Sequence, residues 1–123
     1  MLESLSHIAF TVKDPARTAA LFEDLFGARV RERKDEDGHT EMSVRLGGTW
    51  LVFVRADVQR TKTGDHVAFH ATPEVLEATA SKLQAMGREM IRARGSTALY
   101  FFDYDDHVFE LDTDDIIEEE LGK

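Results

Sequence analysis

Two histidines stand in matched surroundings. His7 opens HIAF and His66 opens HVAF, each with Ala two residues on and Phe three residues on, and each is followed by a proline, Pro15 or Pro73. Neutral imidazoles are good ligands for a divalent transition metal. A carboxylate partner is offered by Glu110 in HVFELD, residues 107–112. If that segment is a strand, Phe109 and Leu111 take its covered face, and Glu110 shares the other with Val108 and Asp112. A glutamate placed there is costly unless it is paired or bound to a cation. A single strand histidine is more often a satisfied structural residue than a ligand. Two in repeated settings favour a joint metal-binding role for His7, His66 and Glu110.

The elements that must position these residues are legible from periodicity. Residues 6–12 alternate, with His7, Ala9 and Thr11 on one face and Ile8, Phe10 and Val12 on the other. Asp14 is placed to cap a helix, Pro15 suits its first turn, Leu21, Phe22, Leu25 and Phe26 form its apolar stripe, and Gly27 ends it. Strands are expected at 28–34, 40–46 and 49–55, with DEDG and GG as turns. The second half repeats the order. A strand at 66–71 precedes a helix with Val75, Leu76, Leu83 and Met86 inward, ended by Gly87. Strands at 88–93, 97–103 and 107–112 follow, then an acidic helix over 113–121. The offsets His7 to His66, Pro15 to Pro73 and Gly27 to Gly87 are 59, 58 and 60 residues, which marks an internal repeat. The expected fold is α+β, two βαβββ modules forming a curved mixed sheet within one domain over 1–123, module one about 1–57 and module two about 64–113. Each module alone is too small to bury a sheet and helix well, so the two should pair.

Composition limits the partners. The chain has 123 residues, 42% hydrophobic and 32% charged, with a formal net charge of −9. Such an acidic balance excludes a general nucleic-acid surface, where Lys and Arg must replace counterions. No apolar run approaches the roughly 18 to 20 residues of a membrane span, and MLESLSHIAF lacks a basic, signal-like start. With no cysteine there is no disulfide framework, and a cytoplasmic location is expected. DYDDH, residues 103–107, lacks the glycine and spacing of an EF-hand loop. It is expected to be the turn before the last strand, with His107 structural. His70 shares the His66 face as a neighbour of the site or a satisfied residue, and His39 sits in a charged loop.

With these residues in place, the sequence resembles the vicinal-oxygen-chelate superfamily, the group of glyoxalases, bleomycin-binding proteins, extradiol dioxygenases and fosfomycin-resistance enzymes. The resemblance covers nearly the whole chain through HIAF, HVAF and YFFDYDDHVFEL. LSHIAFTVKD, GGTWLVFV and LYFFDYDDHVFEL are most similar to fosfomycin-resistance proteins, in particular their epoxide hydrolases. The resemblance implies metal ligation by His7, His66 and Glu110, with Mn2+ expected and Zn2+, Fe2+ or Ni2+ as alternatives. It implies pocket aromatics at Trp50 and Tyr100, for which ordinary core packing is the competing reading. It also implies a homodimer in which module one of one chain pairs with module two of the other, sharing the site. In the water-using branch a glutamate base lies nine residues before the pocket tryptophan, and Glu41 stands there. Its competing reading is an exposed strand residue.

Departures from the family pattern concern the substrate. Ala9 replaces a threonine, Thr97 and Ala98 replace pocket polar residues, and Glu119 falls where an arginine grips the phosphonate. A phosphonate dianion needs fixed cations. Arg45, on the strand face of Glu41, or Arg92 and Arg94 could substitute. The expectation is therefore a metal-dependent enzyme on a small oxygen-rich molecule, best read as an epoxide hydrolase with fosfomycin doubtful as substrate. The competing readings are an extradiol-type dioxygenase, a glyoxalase-like lyase or isomerase, and a metal-free drug-binding protein.

Overall fold

The computed structural model describes residues 1–57 and 62–114. The chain divides into two compact units, Met1–Thr61 and Lys62–Lys123, and each builds a strand, a helix and three further strands. In the first unit these are β1 (His7–Val12), α1 (Pro15–Phe26), β2 (Arg29–Lys34), β3 (Thr40–Leu46) and β4 (Thr49–Arg55). In the second they are β5 (His66–His70), α2 (Pro73–Ala85), β6 (Met90–Ala93), β7 (Ala98–Phe102) and β8 (Val108–Asp112). Each unit has its own four-stranded mixed sheet, ordered β1-β4-β3-β2 or β5-β8-β7-β6. The last strand of a unit returns beside the first, in parallel, and the other pairings are antiparallel.

Local chemistry sets the ends of α1. The Asp14 carboxylate accepts from the backbone N–H of Arg17 at 3.1 Å, and Pro15 follows at the first helical position. Gly27 closes the helix at φ 65°, its N–H donating to the Glu23 carbonyl at 2.8 Å. Leu21, Phe22 and Leu25 are buried, and Phe26 is half-buried. Phe22 packs on Phe53 of β4 with ring centroids 5.6 Å apart, so the covered face of the first sheet carries an aromatic core.

The second helix corrects the expected stripe. Leu76 and Leu83 are buried as expected, but Val75 and Met86 are exposed, at 45% and 41%. The buried positions are Leu76, Thr79, Ala80 and Leu83, spaced three, four and seven residues on, which is one helical face. Val75 lies about a quarter-turn from that line, and Met86 is already the C-cap. Thr72 caps the start, its hydroxyl accepting from the Val75 N–H at 3.2 Å.

At the chain's end, Thr113 and Asp114 form a bend rather than the start of the expected acidic helix. Thr113 is tied back to the Thr97 carbonyl by both its N–H and its hydroxyl, each at 2.9 Å. The remainder of that expected helix, Glu119 included, lies outside the described residues. Among the described residues, no helix is long and apolar enough to cross a membrane.

Candidate metal site and substrate cleft

In the second unit a carboxylate is buried in the middle of a strand. Glu110 on β8 is 4% exposed, between Ala68 of β5 and Tyr100 of β7 in register. Such a group must be compensated, and two side chains meet it. His66 Nε2 lies 3.1 Å from Glu110 Oε1, and the Arg94 guanidinium lies 2.5 Å from Oε2. Arg94 also reaches Asp112 at 3.2 Å and donates to the Tyr100 hydroxyl at 3.5 Å. The Tyr100 hydroxyl first, and then Glu110, push the Arg94 pKa further up, so the guanidinium stays charged. The Tyr100 ring meets His66 edge-on with centroids 5.6 Å apart.

The tautomer of His66 follows from its other nitrogen. Nδ1 is 2.9 Å from the Gly64 carbonyl, an acceptor, so Nδ1 carries the proton and a neutral ring presents a lone pair at Nε2. A lone pair and a carboxylate oxygen 3.1 Å apart repel unless a proton or a metal ion lies between them. Two cis ligands with bonds near 2.1 Å to a divalent metal are separated by about 3 Å. The pair therefore fits a divalent metal in distance and donor type, and the hydrogen bond at Nδ1 is the usual support of a ligating imidazole.

In the first unit the open sheet face is a lattice of cross-strand rows. His7, Trp50, Arg45 and Arg29 form one row across β1, β4, β3 and β2. Ala9, Val52, Ser43 and Arg31 form the next, and Glu41 pairs with Arg33 beyond it. A cavity of about 280 Å³ on this face is lined by residues that include His7, Glu41, Ser43 and Trp50. Trp50 has two guanidinium groups over its ring, Arg29 at 5.3 Å and Arg45 at 5.5 Å from the centroid. Glu41 is half-buried and lies 3.4 Å from Arg33. His7 Nδ1 contacts the Ser6 hydroxyl at 3.0 Å, leaving Nε2 for another partner.

The expected site residues thus form two groups. His66, Glu110 and Tyr100 come together in the second unit. His7, Glu41 and Trp50 line one cavity of the first, with Arg45 stacked on Trp50. Arg92 does not join the Glu110 group. Its guanidinium forms a two-point ion pair with Glu77 of α2 at 2.7 and 2.8 Å, because in register it pairs with Leu99, on the helix-covered face. Arg94 is the residue whose importance sequence reasoning undervalued. It lies in the β6–β7 turn, where strand alternation gives no direction to its side chain, at φ 50°. His107 is structural as expected: its Nδ1 contacts Asp103 Oδ2 at 2.7 Å, and Asp103 Oδ1 accepts from the N–H groups of Asp105 and His107. His39 closes a turn in which Asp35 accepts from the N–H groups of Asp37 and His39. Potential ligand atoms of Asp35, Asp37 and His39 lie within 4.8 Å of one another, but the Asp35 carboxylate is engaged in folding the turn.

Comparison with known proteins accords with this fold. The family model described as "Glyoxalase/Bleomycin resistance protein/Dioxygenase superfamily" matches residues 4–111. The fosfomycin resistance protein FosX of Listeria innocua is 29% identical over 119 residues, covering 90% of each chain. The metallothiol transferase FosB of Bacillus licheniformis is 27% identical, covering 93% of this chain and 77% of its own. Among solved structures, a glutamate-to-glutamine variant of FosX from Listeria monocytogenes, complexed with Mn(II) and 1S,2S-dihydroxypropylphosphonic acid, is similar with a TM-score of 0.85. It is 29% identical and covers 98% of this chain and 99% of its own. The chain belongs to the glyoxalase/bleomycin resistance protein/dioxygenase superfamily, also called the vicinal-oxygen-chelate superfamily.

Proposed function

We propose that this protein is a metal-dependent enzyme that opens an epoxide with water, using His7, His66 and Glu110 to hold one divalent metal, Mn2+ by preference. The observation that carries the reading is the approach of His66 Nε2 and Glu110 Oε1 to 3.1 Å, with Nδ1 already engaged by a carbonyl. The relative bound to Mn(II) contains a dihydroxypropylphosphonic acid, a vicinal diol of the kind that water addition to an epoxide yields. When bound, the metal would act as a Lewis acid on a substrate oxygen.

The chain's own residues would do the rest. Glu41 takes a proton from water as the water oxygen bonds to an epoxide carbon, and the opened oxygen is protonated to give the diol. Trp50 and Tyr100 supply apolar walls that orient a small substrate, and Arg45 fixes the Trp50 ring by stacking on it. The ligands would be completed between two copies of the chain, in a homodimer pairing unit one of one copy with unit two of the other. Fosfomycin is a poor substrate in this reading, because Ala9, Thr97 and Ala98 stand where the family resemblance implies polar pocket residues.

Metal content of protein purified without added metal, measured by mass spectrometry beside His66→Ala and Glu110→Gln, tests the site. One manganese or other divalent ion per chain in the wild type, lost in both variants, is expected. Equal metal in all three proteins would remove these two residues from the ligand set.

A further inference from the structure

The two oxygens of Glu110 have different partners. Oε1 faces His66 Nε2 at 3.1 Å, and Oε2 faces the Arg94 guanidinium at 2.5 Å. One oxygen thus points at the candidate metal position, and a fixed cation engages the other. The same Arg94 nitrogen reaches Asp112 Oδ2 at 3.2 Å, and the other terminal nitrogen donates to the Tyr100 hydroxyl at 3.5 Å. Only one-third of the Arg94 side chain is exposed, so its direction is set by these contacts rather than by solvent.

The backbone is built to deliver this side chain. Arg94, Gly95 and Ser96 are three successive residues at positive φ, 50°, 64° and 70°. Two of them carry side chains, for which this conformation is uncommon and costs energy. Thr97 pins the turn, its N–H and its hydroxyl donating to the Arg94 carbonyl at 3.2 and 2.7 Å. The repeat offers a comparison. The matching turn of the first unit, residues 35–39 between β2 and β3, carries no arginine. In that unit Val52 stands where the second has Glu110. The acid and the arginine that meets it occur together in one unit, and both are missing from the matching positions of the other.

A carboxylate can bind a divalent ion through one oxygen or through both. To use both, Glu110 would have to turn Oε2 from Arg94 toward the ion, and the guanidinium beside it would repel that ion. We infer that Arg94 is a positioning residue that holds Glu110 to ligation through one oxygen, so that a coordination position stays open for an oxygen of the substrate. The inference rests on the reading of His7, His66 and Glu110 as the ligands. A metal with about six positions keeps about three of them beside two imidazoles and one carboxylate oxygen. Ligation by both Glu110 oxygens would leave about two.

Electron nuclear double resonance of manganese-loaded, full-length protein in deuterated water counts the waters on the metal. Arg94→Met should lose about one water relative to the wild type, because the freed Oε2 takes its position. Arg94→Met/Asp112→Asn removes one charge of each sign, which protects the fold from two acids left unpaired, and it should lose the same water. Asp112→Asn alone leaves the guanidinium on Oε2 and should keep the wild-type count. Circular dichroism confirms that the variants are folded. An unchanged count in both Arg94 variants, loss of manganese from them while folded, or an equal loss of water in Asp112→Asn would each overturn the inference. Failure of the wild type to bind manganese would overturn the metal site, and the inference with it. Manganese bound with an unchanged water count in the Arg94 variants would remove only the role of Arg94.

Discussion

At the residue scale, the chemistry depends on how a buried glutamate is balanced. Glu110 is met by a histidine on one oxygen and an arginine on the other, and Arg94 also neutralises Asp112. Arg94 holds a left-handed backbone conformation, which a side-chain-bearing residue adopts at some cost, and its ion pairs offset that strain. Arg94→Met should therefore leave two acids short of a cation. A loss of about 2 kcal/mol is expected, between the values of exposed and fully buried pairs, since Arg94 itself is one-third exposed. Added manganese should restore more melting temperature to Arg94→Met than it adds to the wild type, because the metal supplies the missing charge. Equal manganese-induced shifts would separate Arg94 from the proposed metal ligand Glu110. Glu41 gives the second prediction. Glu41→Gln keeps size and hydrogen bonding but removes the base, so epoxide turnover should fall about 100-fold or more with manganese content unchanged. Full turnover by that variant on every epoxide tried would end the general-base role.

At the scale of elements, the ion pair between Glu77 of α2 and Arg92 of β6 binds helix to sheet at an exposed edge. The Arg92 guanidinium holds the Glu77 carboxyl below its ordinary 4.5. A depressed acid contributes stability above its unfolded pKa and loses it as pH falls through the folded value. Glu77→Gln should thus flatten the acid limb of the stability curve below about pH 4.5 and leave the neutral limb parallel to wild type. Urea midpoints taken across that range check this, and identical acid limbs would mean that the pair adds nothing. Capping and strand boundaries were legible in the sequence because Asp14–Pro15, Gly27, Thr72–Pro73 and Gly87 act through local backbone geometry. Strands 40–46 and 49–55 fall where alternation puts them. Val75 and Met86 were misread because apolar type alone does not fix a helix face when Leu76, Thr79, Ala80 and Leu83 already fill it. Arg94 was undervalued because a turn residue's direction depends on tertiary charge, and the pairing of Arg92 with Glu77 depends on which sheet face the helix covers. His66 with Glu110 was legible, since a repeat and an alternating strand carry that information.

At the scale of the whole molecule, two units of similar order each bury their own aromatic pair, Phe22 on Phe53 and Phe101 on Phe109, while the expected ligands are divided between them. The acid at Glu110 has only Val52 as its counterpart in the first unit, so neither unit carries a full ligand set alone. The proposed homodimer completes it by taking His7 from one copy and His66 with Glu110 from the other, and this division predicts complementation. His7→Ala and Glu110→Gln proteins should each bind manganese poorly. In a mixed dimer of the two, one site inherits both substitutions, and the other combines the intact His7 of one copy with the intact His66 and Glu110 of its partner. Random reassortment of equal amounts makes half the dimers mixed, so about a quarter of the wild-type sites should return. Electron paramagnetic resonance of free manganese reads that recovery directly, and light scattering reports the dimer. No recovery after reassortment is demonstrated, or a monomer with metal still bound, would place all three ligands within one chain.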